Sequence, residues 1–221
     1  MENEANSSHR LPEVLPVFPL EGALLLPHGH LPLHIFEPRY RAMIEAALGA
    51  GRVIGMIQPK GTFPQPTPDD AELFGIGCAG KIVSLAETDD GRFFVTLKGL
   101  CRFRIMRELP VVGGFRRVLP DFSGFVDDFA TPDEFGVDRE RLMQTARLFL
   151  DAKGIGCDWT AAEAAPMPAL VTTFAMTCPF EPREKQALLE CSNLAERSEL
   201  MISLFEMALL TGDGQASGAQ H

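Results

Sequence analysis

The first half of the chain alternates short apolar runs with turn residues, and this pattern predicts β-strands. The runs cover residues 14–20, 24–35, 52–58, 73–87 and 92–98. Prolines interrupt the first two runs, and because proline cannot donate a hydrogen bond to a sheet, we expect edge or irregular strands there. Several short strands joined by tight turns indicate a twisted barrel or sandwich.

Two further patterns in the first half predict a hairpin and a half-buried strand. Residues 89–91 read Asp-Asp-Gly between two strand-like runs, which is a strong signal for a β-hairpin. From 101 to 105 the chain reads Cys-Arg-Phe-Arg-Ile, and this period of two predicts one buried face and one solvent face. Arg102 and Arg104 are therefore expected in solvent.

The segment 31–48 predicts a strand, a corner and an amphipathic helix in succession. Residues 31–36 alternate as a strand, and Pro38 suits the first turn of a helix because it has no donor to lose there. Glycines at 49 and 51 end the helix. The apolar side chains of the helix share one face: Tyr40, Met43, Ile44, Ala47 and Leu48.

The second half of the chain changes to the period of an α-helix. Apolar residues recur at 142, 146, 149 and 150, and again at 170, 171 and 174. Gly154 ends the first helix, and Pro182 is well placed in the first turn of a later one. Asn193, with Glu196 three residues on, has the spacing of a capping box, and the helix that follows is expected to reach Gly212.

This change of period divides the chain into two parts. We predict a β-rich subdomain at 11–125 and a helical subdomain at 130–211, with the boundary inside 123–138. The polar ends, 1–10 and 212–221, are expected to be flexible tails. Strands followed by helices in this order indicate an α+β fold.

Composition and charge narrow the possible functions. The net charge of -10 disfavours nucleic acid and anionic membrane surfaces as partners, because both attract basic proteins. The five cysteines are odd in number and lack a Cys-x-x-Cys pair, which favours thiols in a reducing cytoplasm. The polar start lacks the pattern of a secretion signal, and no apolar stretch is long enough to span a membrane.

Several runs of the chain resemble the N-terminal domain of the Lon protease family. They are Leu-Pro-Val-Phe-Pro-Leu at 15–20, Leu-Pro-Leu-His-Ile-Phe-Glu-Pro-Arg-Tyr at 31–40, Gly-Leu-Cys-Arg-Phe-Arg-Ile at 99–105 and the helical stretch 180–190. The resemblance extends over about residues 11–210, and its Phe-Glu-Pro-Arg-Tyr run is the most specific part.

The resemblance implies a fold, a role and a set of partners. The fold is a PUA-like twisted β-barrel or sandwich with one packed amphipathic helix, followed by a C-terminal α-helical bundle. The role is non-catalytic binding of unfolded or partly folded polypeptides, linked to protein quality control, without cofactor or metal. We expect a free-standing, cytoplasmic member of the family without the ATPase and peptidase domains.

A nucleotide-binding hydrolase is one alternative. Residues 75–81 satisfy the pattern G-x-x-x-x-G-K, in which backbone N–H groups at a helix N-terminus hold phosphates. The pattern requires a helix after the loop, yet residues 82–85 continue as a strand, and Ile82 replaces the Ser or Thr that binds magnesium. We therefore favour a glycine-bearing strand with close packing or a bulge.

Other chemistry is weakly supported by the sequence. His28, His30 and His34 cluster, but no cysteine or carboxylate completes a metal site, so we expect two exposed histidines and a packed His34. Ser84 and Cys157 are possible nucleophiles, but neither lies in a nucleophile motif.

Binding residues are sought where aromatic and arginine side chains meet, since these are common interface anchors. Phe36, Arg39 and Tyr40 at the strand–helix corner are the candidate partner-binding residues. A small-ligand or RNA sensor is the remaining alternative, because five arginines could form a local basic stripe. They are Arg102, Arg104, Arg107, Arg116 and Arg117. Pairing of these arginines with carboxylates would exclude the RNA version.

Overall fold

The computed structural model describes residues 11–61, 63 and 67–216, with only the backbone at 212–216. The predicted N-terminal tail, 1–10, and the last five residues of the predicted C-terminal tail, 217–221, lie outside the described residues. Two compact units make up the chain: Met1–Phe129, which we call the β unit, and Ala130–His221, which we call the helical unit. The α+β class is confirmed, whereas the exact subdomain limits stay a prediction.

The β unit is built on one closed, twisted sheet. Its strands are β1 (Leu15–Pro19), β2 (His30–Ile35), β3 (Val53–Ile57), β4 (Ile76–Glu87), β5 (Phe93–Val112) and β6 (Phe115–Asp121). They are ordered β2-β5-β4-β3-β1-β6, and the long β5 also pairs with β6, which closes the sheet. In the described part of the chain, β2 pairs with β5 alone and is an edge strand.

A cluster of buried side chains from several strands forms the core of the closed sheet. Phe103 lies at its centre with no exposed surface, and Phe122 packs against it with ring centroids 6.2 Å apart. The other buried members of the cluster are Leu15, Val17, Val53, Ile57, Leu73, Ala79 and Val118.

The proline-containing runs were predicted to form edge or irregular strands, and β1 is not an edge strand. This strand lies between β3, which is parallel to it, and β6, which is antiparallel. Pro16 is paired only on the β6 side and Pro19 only on the β3 side, so each proline has a neighbouring strand on one side alone. A strand can therefore hold two prolines in the interior of a sheet when they lie at its ends.

The second proline-containing run was also predicted too long, because only its last six residues form a strand. Leu24, Leu25 and Leu26 are buried in the core without strand pairing. A tight turn follows, in which the Gly29 N–H donates to the Leu26 carbonyl and His28 has a φ of 65°. Strand β2 begins after this turn, and Pro32 lies on its edge as predicted.

The predicted hairpin at 89–91 is confirmed and joins β4 to β5. The glycine-rich run that precedes it is part of strand β4, so the P-loop pattern lacks its helix. A side chain at Gly77 would lie 2.5 Å from the Met56 carbonyl oxygen, and one at Gly80 would lie 2.6 Å from Leu25. Close packing therefore explains these glycines, as the strand interpretation predicted, and a register shift lies between Ala79 and Gly80.

Arg102 was predicted in solvent and is instead buried in an ion pair. A 3-10 helix, Ser123–Phe129, covers this part of β5. Asp128 on that helix accepts hydrogen bonds from the Arg102 backbone N–H and Nη2, both at 2.8 Å, and from Nε at 3.0 Å. The two side chains are only 7% and 8% exposed. The alternation along β5 predicted a solvent face at Arg102, but the 3-10 helix covers the strand there.

The helical unit contains α2 (Arg139–Ala152), α3 (Trp159–Ala164), α4 (Met167–Thr177), α5 (Pro182–Glu190) and α6 (Leu194–Ala216); the earlier helix α1 (Pro38–Leu48) belongs to the β unit. Phe149, Phe180 and Phe205 lie in its core, where the Phe180 ring stacks on the other two. The prediction that the last helix ends at Gly212 was wrong by four residues: the helix continues through Gly212 and Gly214, since each glycine costs a helix only about 1 kcal/mol.

The predicted capping box at the start of α6 is half correct. The Asn193 side chain accepts from the Glu196 backbone N–H at 2.9 Å, as expected for an N-cap. The return bond from Glu196 goes to the backbone N–H of Ser192 and not to that of Asn193. A full capping box forms instead on α5, between Glu181 and Glu184.

Candidate functional site

The corner between β2 and α1 positions the three candidate residues, as the pattern at 31–48 predicted. Glu37 has extended backbone angles and Pro38 opens the helix, so the chain changes direction sharply after Phe36. Tyr40 then points from the first turn into the β unit, where its ring lies 4.1 Å from that of Phe18. Sequence-local features therefore place Phe36, Arg39 and Tyr40 at one corner.

An open apolar groove of about 370 Å³ runs along β2 and this corner. We call it the edge groove. Every residue from 32 to 37 contributes to its wall, together with Phe18, Leu20 and Tyr40. Side chains of a strand alternate between its faces, so consecutive lining residues mean that the backbone edge of β2 itself faces the groove.

The floor of the edge groove is apolar and its rim is exposed. Leu33, Ile35 and Tyr40 are buried side chains of the floor, whereas Phe36 on the rim is 57% exposed. Burial raises the pKa of the Tyr40 phenol to about 12, with the charge of Arg39 acting in the opposite direction. An apolar side chain entering the groove would therefore meet a largely apolar floor, in which the Tyr40 phenol is neutral.

Arg39 is engaged by other residues of the β unit and is not among the residues that line the edge groove. Its guanidinium pairs with Glu37 at 2.9 Å and with Asp69, and it donates to the Thr67 carbonyl oxygen at 2.9 Å. It also lies over the Tyr40 ring, 4.5 Å from the centroid. Burial lowers the Arg39 pKa, but the neighbouring charges and hydrogen bonds leave it raised overall. Arg39 thus fastens the 67–69 loop to α1.

An aromatic pair on the outer face of the sheet was missed by sequence reasoning. His34 of β2 stacks on Phe94 of β5 with ring centroids 4.7 Å apart and planes 14° apart. Phe94 is 52% exposed, and Phe36 lies 5.7 Å from the His34 ring. His34 therefore packs on a neighbouring ring, as expected, but on the outer face, because the odd positions of β2 face the core and its even positions face outward.

The structure gives little support to a metal site at the histidines or to a nucleophile at Cys157 or Ser84. Within the described ranges, His28, His30 and His34 belong to no cluster of three or more metal-binding side chains. Burial raises the pKa of the Cys157 thiol, which lowers its reactivity. Ser84 lies on strand β4, exposed, without a nucleophile turn.

The basic stripe proposed for RNA is interrupted by carboxylates. Arg102 is buried against Asp128, and Arg116 forms a bidentate pair with Glu108 at 2.7 Å. Arg117 donates to the Pro110 carbonyl oxygen at 3.0 Å. Two of the five arginines therefore have carboxylate partners, and the stripe does not form the continuous basic surface that RNA binding requires.

A second apolar groove, of about 260 Å³, lies elsewhere on the β unit. Val112 and Phe115, near the turn between β5 and β6, line it together with Val14 and Arg117. Its lining residues come from several separate segments of the chain, and β2 contributes none of them. A substitution in this second groove can therefore serve as a control for a substitution in the edge groove.

The fold of this chain is similar to that of solved structures of known proteins. A Lon N-terminal domain protein from Xanthomonas campestris aligns with a TM-score of 0.57 and 20% identity, covering 86% of this chain and 97% of that one. The N-terminal domain of a Mycobacterium avium complex Lon protease aligns with a TM-score of 0.58 and 17% identity, covering 87% and 98%. These alignments place the fold among Lon N-terminal domains.

The chain belongs to the family of the ATP-dependent protease La (LON) substrate-binding domain, whose model matches residues 14–206. Similar sequences include a Lon protease of Dictyoglomus thermophilum, 33% identical over 49% of this chain, and Lon protease 2 of Myxococcus xanthus, 24% identical over 88%. Lon protease of Escherichia coli K12 is 26% identical over 87% of it.

The matches cover only part of these relatives. The aligned regions amount to 13%, 24% and 24% of the three Lon proteases, so the chain spans about a quarter or less of their length. The shared region is the substrate-binding domain of the family. Among the helices that the structure describes, none has the length and apolar character needed to cross a membrane.

Proposed function

We propose that this chain is a non-catalytic module that binds exposed apolar segments of unfolded polypeptides in the edge groove, in a role linked to protein quality control. The observation that carries the proposal is the combination of family membership with an open groove that has an apolar floor. Its cytoplasmic location and its existence as a free-standing protein stay predictions.

The size and chemistry of the groove support this function. A cavity of about 370 Å³ lies at the lower end of the range of small-ligand pockets and is large enough for two or three apolar side chains. Phe36 adds an exposed aromatic side chain at the rim, of the type that commonly anchors protein interfaces. Burial of such a side chain by a partner contributes about 1.5–3 kcal/mol.

The alternatives lack comparable support. A hydrolase of the P-loop type needs a helix after the glycine-rich run, and here a strand continues. An RNA sensor needs a continuous basic surface, and Arg102 and Arg116 are held by carboxylates.

A binding assay tests the proposal. Fluorescein-labelled, reduced and carboxymethylated α-lactalbumin serves as an unfolded probe, native lactalbumin as the folded control, and anisotropy as the readout. We expect micromolar affinity for the unfolded probe alone. Phe36→Asp should weaken it at least about tenfold, since tenfold corresponds to 1.4 kcal/mol.

The matched control is Val112→Asp, which places the same charge on an exposed residue of the second apolar groove. This variant should bind the probe like the wild type. Absence of wild-type binding up to about 100 μM, the range of weak complexes, would exclude the function. Equal losses in the two variants would exclude the edge groove as its location.

A further inference from the structure

Strand β2 has an open backbone edge that faces the edge groove. Across the residues the structure describes, β2 pairs with β5 on one side and with no strand on the other. The unpaired N–H and C=O groups of an edge strand are a template for another extended chain. Because residues 32–37 line the groove without interruption, a chain lying in the groove also lies beside this edge.

We infer that the bound polypeptide is added to the sheet as an extended strand beside β2, with a side-chain pattern set by the two faces of that strand. This inference rests on the proposed function and specifies how the segment is held and which segments are preferred. Strand addition gains affinity from main-chain hydrogen bonds and specificity from alternate side chains.

Pro32 weakens main-chain pairing beside β2, so the side chains of the added segment must contribute to its binding. Pro32 has no backbone N–H, and a proline in an edge strand stands where the missing donor faces away from the neighbouring strand, which is a common protection against pairing with other sheets. Main-chain pairing beside β2 is therefore weaker than on an uninterrupted edge. A segment must also fill the groove or contact the outer face of the sheet in order to stay bound.

The inner face of the added segment would be apolar. Leu33 and Ile35 point inward from β2, and Phe18 and Tyr40 form the rest of the floor beside them. Alternate residues of the added strand point to the same side as these two, because side chains along a strand change face at each step. Every second residue of a preferred segment should therefore be apolar.

The outer face of the added segment would meet an aromatic row. Residues that pair across an antiparallel ladder share a face, so His34, Phe94 and Ala86 form one row across β2, β5 and β4. The stacked rings of His34 and Phe94 are open to solvent. An aromatic side chain placed beside His34 would extend this stack, since aromatic cross-strand pairs are favourable.

Four residues earlier on β2, the outer face carries positive charge. His30 pairs with Lys98, and Lys98 pairs with Lys81, which gives a second row. No carboxylate lies within 4.0 Å of Lys98 or Lys81 among the described side chains, although the chain as a whole carries a net charge of -10. An acidic residue beside His30 would complement this row, and it would lie four residues from the aromatic one.

A peptide assay tests the inferred mode of binding. The probe is a labelled nine-residue peptide with valine at even positions, glutamate at position 3, phenylalanine at position 7 and serine elsewhere. Single backbone N-methylation is introduced at each position in turn. We expect N-methylation to lower the affinity at least about tenfold at alternate positions and less than about twofold at the others. The reason is that only every second N–H of an added strand faces β2.

A charge exchange tests the predicted register. Replacing the peptide glutamate by lysine should weaken binding to the wild type about twofold, and His30→Glu, which places a carboxylate directly opposite the new lysine, should restore that loss. Lys153→Glu, at an exposed lysine of the helical unit, is the matched control and should restore nothing. Equal recovery of affinity in both variants, or none in His30→Glu, would overturn the register.

The outcomes separate this inference from the proposed function. Uniform losses along the N-methyl series, or none, would overturn strand addition and leave groove binding in place. The same conclusion follows if unfolded lactalbumin binds and the peptide does not. If neither probe binds the wild type, the proposed function itself fails.

Discussion

Replacing Asp128 by alanine tests how the 3-10 helix is held to β5. The substitution removes the carboxylate that faces the Arg102 guanidinium, where both side chains are more than nine-tenths buried. Burial lowers the pKa of Arg102, but its hydrogen bond and charge interaction with Asp128 raise it above the ordinary value, so the arginine stays charged. The substitution also removes the acceptor for the Arg102 backbone N–H.

The expected cost follows from the burial of the pair. Removing one partner of a buried ion pair costs about 3–5 kcal/mol, because the remaining charge is left in a poorly solvated site. For a domain of about 120 residues, 1 kcal/mol lowers Tm by roughly 3–5 °C. We therefore expect Tm of the β unit to fall by about 10–20 °C in Asp128→Ala.

Two intrinsic chromophores allow each unit to be followed in the full chain. Tyr40 is the only tyrosine and lies in the β unit, and Trp159 is the only tryptophan and lies in the helical unit. Tyrosine absorbance during a thermal scan therefore gives Tm of the β unit. Tryptophan fluorescence in the same scan gives that of the helical unit.

Controls separate the ion pair from a general effect of the substitution. Asp127→Ala changes the adjacent, exposed carboxylate and should shift the free energy of unfolding by no more than about 0.5 kcal/mol. The double variant Arg102→Met with Asp128→Leu should regain most of the loss, since apolar residues can replace a buried pair. If Asp128→Ala lowers the free energy of unfolding by less than about 1 kcal/mol, or by no more than Asp127→Ala does, the buried ion pair does not hold the 3-10 helix to β5.

Three further predictions concern other parts of the chain. Tyr40 should ionise near pH 12 in the native protein and near its ordinary value of 10.0 in urea, as followed by absorbance at 295 nm. Burial of the neutral phenol therefore contributes fully to stability below pH 10, and this contribution is lost as the pH rises towards 12. Equal pKa values of Tyr40 in the native and the urea-unfolded protein would contradict this. Cys157 should react with a disulfide reagent before the four buried thiols, and Cys157→Ser should abolish the fast phase; its persistence would exclude this assignment. Gly77→Ala should lower stability by more than about 1 kcal/mol in urea unfolding, since its Cβ would lie 2.5 Å from the Met56 oxygen, whereas Gly75→Ala has open space and should not; equal effects would refute the packing explanation.

Features set by neighbouring residues could be predicted from the sequence. Helix α1 follows from Pro38 and an apolar stripe within eleven residues, and the β4–β5 hairpin follows from Asp-Asp-Gly at its turn. Both depend on contacts between residues close in the chain. The corner that carries Phe36, Arg39 and Tyr40 was placed correctly for the same reason.

Features set by distant residues could not be predicted. Arg102 is buried because Asp128, 26 residues later, covers it. His34 stacks on Phe94, a pairing that depends on the register between β2 and β5. Arg39 was identified as a contact residue, but its partner Asp69 lies 30 residues away and occupies its guanidinium. A single sequence gives no register between strands, so these contacts had to be observed.

The position of β1 between β3 and β6 also determines when the β unit can form. Leu15 pairs with Val118, so the sheet closes across about 100 residues of chain, and the length-dependent entropy of that closure is about 4 kcal/mol. Such distant pairing is slow to form. A growing chain that has not yet reached Phe115 leaves β1 and the second half of β5 each with an open edge. During synthesis, the β unit can therefore close only after β6 has left the ribosome.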